Sequence, residues 1–210
     1  MDKRYAIFDM DGTLVDSMQF WRGLGREYLD AHGVQQPPAT FWEQLRPLTL
    51  AESAALIVRQ FALPATPQQA AAEMSERMAD HYRQDVALKP GVQAHLAALR
   101  QNGVRLCVAS ATGEPLVRLC LARLGVLPWF EFVLSCKELA TTKRQPDIYL
   151  AAAQRFVAAP PQIAVYEDAL YAAQTAKQAG FYLVGVHDAE AEHHWAALRA
   201  LADETLRFEA

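Results

Sequence analysis

The chain has 210 residues, 52% of them hydrophobic, and a formal charge of −4. That length holds one domain or one and a half with an ample core, and because basic side chains are spread singly no nucleic-acid partner is expected. Three cysteines without CxxC spacing (Cys107, Cys120, Cys136) argue against a disulfide framework or a zinc site, no run approaches the ~18 apolar residues of a membrane span, and Asp2, Lys3 and Arg4 lead into an apolar stretch too brief for a signal peptide, so the expected setting is cytoplasmic.

The first predicted strand, "RYAIFD", runs into "DMDGT" and places Asp9 and Asp11 one residue apart. Two unit charges about 4 Å apart repel by ~4 kcal/mol at an effective dielectric of about 20, so a cation is expected between them. If the strand continued, both carboxylates would share a face; if it ended between them, the turn at Gly12 would aim them apart. From Val15 to about Leu88 no strand is convincing, and helical patterning covers Ser17 to His32, Phe41 to Arg46, Leu50 to Phe61 and Pro67 to Arg83, with Pro37, Pro38, Pro64 and Pro67 as breakers. This reads as a small helical domain, residues 16–88, inserted into a core made of 1–15 and 89–210. Its aromatic residues Phe20, Trp21, Phe41 and Trp42 are expected to pack in a core or an interface. "LKPGV" is the return linker, with Pro90 expected to open the next helix.

Beyond it, strands "VRLCVAS", "FEFVLS", "QIAVYED" and "FYLVGV" alternate with helices in "GVQAHLAALRQNG", "EPLVRLCLARLG", "PDIYLAAAQRF", "ALYAAQTAKQAG" and "AEHHWAALRALADE". Gly103, Gly125 and Gly180 fall where a left-handed cap is often needed. The alternation predicts an α/β fold, a doubly wound parallel sheet of Rossmann-like type carrying the helical insert. His193 and His194, adjacent on the last helix, are expected to face apart and so not to share a metal.

In such a sheet, ligands bind at the carboxyl ends of the strands. There the sequence collects Asp9 and Asp11, Ser110 in "VASAT", and Glu167 with Asp168 in "VYEDA", with Lys143 in the loop "TTKRQPDIY". Carboxylates without histidine or thiol favour a hard cation such as Mg²⁺, while a hydroxyl and an ammonium suit phosphate oxygens. The set is a candidate phosphoryl-transfer site, in which an aspartate can form an aspartyl-phosphate. Each piece alone has a plainer reading. Asp11-Gly12 could be a turn, Ser110 a helix cap, Lys143 a solvated charge, and Glu167 with Asp168 a favourable helix start. The functional case rests on all four occurring in order at matching strand ends.

With these motifs the chain resembles the haloacid dehalogenase superfamily, in the β-phosphoglucomutase and phosphoglycolate phosphatase-like group whose helical cap follows the first strand. The resemblance implies that Asp9 is the nucleophile and Asp11 the general acid and base. Mg²⁺ would be held by Asp9, the Asp11 carbonyl, Asp168 and Glu167, and the phosphoryl oxygens by Ser110, Ala111 and Lys143. It also implies a small phosphorylated metabolite as substrate. Where the family usually has "GKPxPD" this chain has "TKRQPD", so the loop around Lys143 is expected to turn less tightly. The alternative reading is a phosphomutase of the β-phosphoglucomutase type. That branch carries a cap histidine and arginine where Trp21 and Leu50 stand here; Arg22 and Arg46 are the cations that could replace them. A signalling receiver domain combines similar residues, but carries its phosphoacceptor after a later strand and lacks a large insert.

Overall fold

The structure, a computed structural model, describes residues 3–45 and 48–208. Arg46, expected to end the second insert helix and named as a substitute cation, lies outside the described residues. Strand β1 (Tyr5–Phe8) opens the chain and four helices follow: α1 (Met18–Ala31), α2 (Ala39–Leu45), α3 (Leu50–Gln60) and α4 (Pro67–Gln84). Strands and helices then alternate: α5 (Val92–Gln101), β2 (Arg105–Ser110), α6 (Glu114–Arg123), β3 (Phe132–Ser135), α7 (Asp147–Phe156), β4 (Ile163–Glu167), α8 (Leu170–Gln178), β5 (Tyr182–Val186), α9 (Glu192–Leu201) and β6 (Glu204–Leu206). The chain divides into two compact units, Met1–Ser17 with Val86–Ala210, and Met18–Asp85.

In the first unit six parallel strands lie in the order β3-β2-β1-β4-β5-β6. Strand β1 is central, and Ala6, Ile7 and Phe8 are wholly buried because both sheet faces are covered. On one face Ile7, Cys107, Ala109 and Val165 pack with Ile148, Ala152 and Phe156 of α7. Phe8 stacks on Tyr166 with ring centroids 4.1 Å apart. After β1 the chain builds outward through β2 and β3, then returns to place β4 on β1's other side. The strand order therefore reverses beside β1, which is where a doubly wound sheet opens its ligand crevice.

The chain leaves and re-enters this unit along paired segments: Asp16 N donates to the Ala87 carbonyl, Lys89 N donates to that of Leu14, and Val15 bridges Leu88 antiparallel. Lys89 anchors the return through a buried ion pair with Asp188 at 2.6 Å. Pro90 does not open α5. The helix starts after Gly91, whose φ of +79° marks it as a left-handed N-cap. Gly103, Gly125 and Gly180 do take positive φ after their helices. Strand β6 is a correction to the five expected: Glu204–Leu206 has no apolar run, and it pairs along the edge of β5.

The second unit holds α1 to α4. Thr49 and Thr66 cap α3 and α4 with full capping boxes through Glu52 and Gln69, so both starts are written locally. Of its aromatics, Phe41 is fully buried against Trp42 and Phe61, while Phe20, Trp21 and Trp42 are partly exposed. Trp21 Nε1 donates to the Tyr82 hydroxyl at 3.1 Å, so the tryptophan ties α1 to α4. The rings of His193 and His194 on α9 lie 4.0 Å apart, against the expectation that they face away from each other. No third ligand joins them: the described residues contain one cluster of three or more acidic, histidine or cysteine side chains close enough to hold a metal, and it is elsewhere.

Candidate active site

That cluster is Asp9, Glu167 and Asp168, whose carboxylate oxygens lie within 4.8 Å of one another. It forms because β1 and β4 are neighbours in register, Phe8 opposite Tyr166, so the residues that follow this pair emerge side by side. Lys143 reaches in from the loop before α7 and donates to both Asp9 Oδ1 and Glu167 Oε1. All four side chains are buried. Lys143 is thus no solvated charge. Burial works to lower its pKa, but the Asp9 and Glu167 carboxylates outweigh burial and raise it well above the ordinary lysine value.

Strand β1 ends before Asp9, and the two aspartates diverge. Asp11 accepts from the Ser17 hydroxyl at 2.7 Å through Oδ1 and from the Thr112 hydroxyl at 2.7 Å through Oδ2. Lys143 serves Asp9, and the Ser17 and Thr112 hydroxyls are among the partners of Asp11. The Asp11 carboxylate likewise stands outside the acidic cluster.

Gly12 is required twice over. Its φ is +82°, and a Cβ there would come 2.5 Å from Asp168 Oδ2, so only glycine lets the turn close against that carboxylate. Thr13, fully buried, donates to Asp168 Oδ1 at 2.9 Å. Burial nevertheless raises the Asp168 pKa to about 7, helped by the Glu167 and Asp188 charges and opposed by the Thr13 hydrogen bond. The Asp9 pKa is raised well above its usual value by burial, which together with the Glu167, Asp168 and Asp11 charges exceeds the lowering by Lys143. Three buried carboxylates around one ammonium are short of positive charge.

Ser110 ends β2 fully buried and Ala111 follows it exposed. Ser110 does not cap α6: the N-cap is Gly113, and the Ser110 hydroxyl accepts instead from Thr112 N at 3.0 Å. Glu167 and Asp168 precede the α8 N-cap, Ala169. The loop carrying Lys143 is held despite its departures, since Gln145 N donates to the Thr142 carbonyl at 3.0 Å, Arg144 N to the Thr142 hydroxyl at 3.3 Å, and the Arg144 guanidinium lies 4.8 Å from the Tyr171 ring centroid. Sequence reading missed Thr13, Ser17, Thr112 and Tyr149, whose hydroxyl donates to Glu167 Oε1 at 2.9 Å. The first three lie within six residues of a motif aspartate or two of Ser110, a weak signal. Tyr149 looked like one more apolar position of α7.

The doubly wound sheet thus brings an acid cluster and a buried lysine together at its switch point. Residues 3–180 match the family model described as haloacid dehalogenase-like hydrolase, and the chain belongs to that family. It is 30% identical over 190 residues to fructose-1-phosphate phosphatase YqaB of Escherichia coli, a match covering 89% of this chain and 98% of that one. Among solved structures it is similar to CbbY from Rhodobacter sphaeroides in complex with phosphate, with 26% identity, a TM-score of 0.77, and 97% and 93% of the two chains covered. The fold also matches β-phosphoglucomutase from Clostridium difficile at 21% identity and a TM-score of 0.69, over 97% and 90% of the chains. The protein is an enzyme, a hydrolase on the phosphatase side of its family. Among the described residues no helix is long and apolar enough to cross a membrane.

Proposed function

We propose that the protein hydrolyses a small phosphate monoester through an aspartyl-phosphate on Asp9, with Mg²⁺ as cofactor. The observation that carries this reading is the shared ammonium of Lys143 on a buried carboxylate at the switch point, beside two further buried carboxylates. The donor set fits a hard divalent cation: it is all oxygen, deficient in positive charge, and free of histidine and thiol. Asp9, Asp168, the Asp11 carbonyl and Glu167 would hold it. When bound, Mg²⁺ supplies charge that favours the ionised Asp9 and draws electron density from the phosphoryl oxygens.

An Asp9 carboxylate oxygen attacks phosphorus and the bond to the ester oxygen breaks. Asp11 gives its proton to that leaving oxygen, exchanging one of its hydroxyl partners for it. Asp11 then takes a proton from water, which attacks phosphorus; the phosphorus–Asp9 bond breaks and inorganic phosphate leaves. Ser110, the backbone at Ala111, and Lys143 hold the phosphoryl oxygens throughout.

The helical unit, residues 16–88 by the sequence reading, is proposed as the cap that selects the ester. A small phosphorylated sugar is the substrate class, supported by the fructose-1-phosphate phosphatase similarity. A phosphomutase shares the first half-reaction and is favoured only by the likeness of fold. The three thiols, buried and unpaired, support a reducing cytoplasm as the setting. The test is phosphate release from a panel of sugar phosphates, including β-glucose 1-phosphate, with Mg²⁺ and with chelator. We expect metal-dependent release that Asp9→Asn lowers by at least about a thousandfold, as loss of a covalent nucleophile does. A fully active Asp9→Asn refutes the nucleophile, and isomerised sugar phosphate without free phosphate selects the mutase.

A further inference from the structure

Tyr149 is 1% exposed on the first turn of α7, six residues after Lys143, and no step above uses it. Its hydroxyl and the Lys143 ammonium meet on one atom, Glu167 Oε1. Glu167 is itself 1% exposed, so its charge must be met inside the protein, and at Oε1 it is met by these two donors. Lys143 is also the donor to Asp9 Oδ1, so two buried carboxylates draw on one ammonium. We propose that Tyr149 is a positioning residue that apportions Lys143 between Glu167 and the nucleophile.

The physical argument is competition. A neutral hydroxyl on Glu167 meets part of that carboxylate's demand without adding charge. Glu167 then pulls less strongly on Lys143, and the ammonium stays directed at Asp9 and at the phosphoryl group Asp9 attacks. Without the hydroxyl, Lys143 becomes the main donor to Glu167 Oε1 and moves toward it. The tyrosine ring has a separate, apolar role. It belongs to the core cluster with Ile148, Ala152 and Phe181, its ring 6.0 Å from that of Phe181, so phenylalanine fills the same space and removes only the hydroxyl.

The proposal rests on the phosphatase reading, and its test separates the two. Wild type, Tyr149→Phe, Glu167→Gln and the double variant are compared by kcat on the best ester and by calorimetric affinity for inorganic phosphate with Mg²⁺ present, a readout that needs no turnover. Tyr149→Phe is expected to lower kcat about tenfold and weaken phosphate binding several-fold, the size of one hydrogen bond to an ionised group. In the Glu167→Gln background, where the competing charge is gone, the same substitution is expected to change phosphate affinity less than about twofold, since coupled residues are non-additive. A merely structural tyrosine lowers the melting temperature and leaves both ratios unmoved, which overturns the proposal. So does a loss of equal size in both backgrounds. If wild type binds phosphate but hydrolyses no ester, the phosphatase reading fails while the affinity cycle still decides the role of Tyr149. If wild type does neither, both fail.

Discussion

Replacing Asp168 by asparagine is expected to stabilise the metal-free protein, and to do so more at high pH than at low. The carboxyl is buried, and burial, with Glu167 and Asp188 adding to it, raises its pKa from 3.8 to about 7. Below pH 3.8 the group is neutral in both the folded and the unfolded chain and contributes nothing unfavourable. Between 3.8 and about 7 only the unfolded chain gives up its proton, so stability falls as pH rises. Above about 7 the folded chain also ionises and the loss is complete, amounting to ~4 kcal/mol for a rise of that size. Asparagine carries no such charge, and its oxygen can still accept from Thr13. Urea unfolding with chelator should therefore find Asp168→Asn ahead of wild type by less than ~2 kcal/mol at pH 5 and by up to ~4 kcal/mol at pH 8, a large share of a total stability of roughly 5–15 kcal/mol. Phosphate release should be lost, and added Mg²⁺ should stabilise wild type but not the variant at pH 8. An advantage that is the same at both pH values would refute the electrostatic account of this cluster.

Two backbone predictions follow from positive φ. Val157 ends α7 at φ 56° and ψ 48° with 90% of its surface exposed, so a β-branched residue sits in the left-handed region without packing in return. Val157→Gly should raise stability by ~1 kcal/mol in denaturant unfolding, and a variant less stable than wild type would show the strain is absent. Gly12→Ala should do the reverse, costing about 1–3 kcal/mol from left-handed strain and the 2.5 Å approach to Asp168, and it should abolish phosphate release at temperatures where the variant remains folded. An active Gly12→Ala would mean that Asp168 can move without consequence.

Much of the site was legible because its residues are punctuation in a regular pattern. In a parallel sheet each apolar run must stop, and polar residues at the stop are exposed to whatever the crevice holds. Asp9, Ser110, Glu167 and Asp168 stand at such stops, so strand alternation put them on one edge of a parallel sheet, while their closeness depends on the strand order. Lys143 was legible only through its motif, since a lysine in a loop is ordinarily solvated. The five longer strands and the helices were readable from periodicity. Strand β6 was not, because Glu204–Leu206 is a strand only by virtue of the free edge of β5.

What the sequence by itself determined is the order and polarity of the elements and the inventory of acids, hydroxyls and one lysine at the strand ends, because these depend on local pattern and on sterics that act over a few residues. What only the tertiary structure decided is how that inventory is shared. Lys143 joins Asp9 with Glu167, Thr112 and Ser17 take Asp11, Thr13 takes Asp168, and Tyr149 turns from core residue into hydrogen-bond donor. Three of these six contacts link residues more than 100 positions apart, and burial strengthens the contacts of Asp9, Glu167 and Asp168 by excluding water. Neither distance nor dielectric is written in the local sequence; both come from folding β1 and β4 side by side.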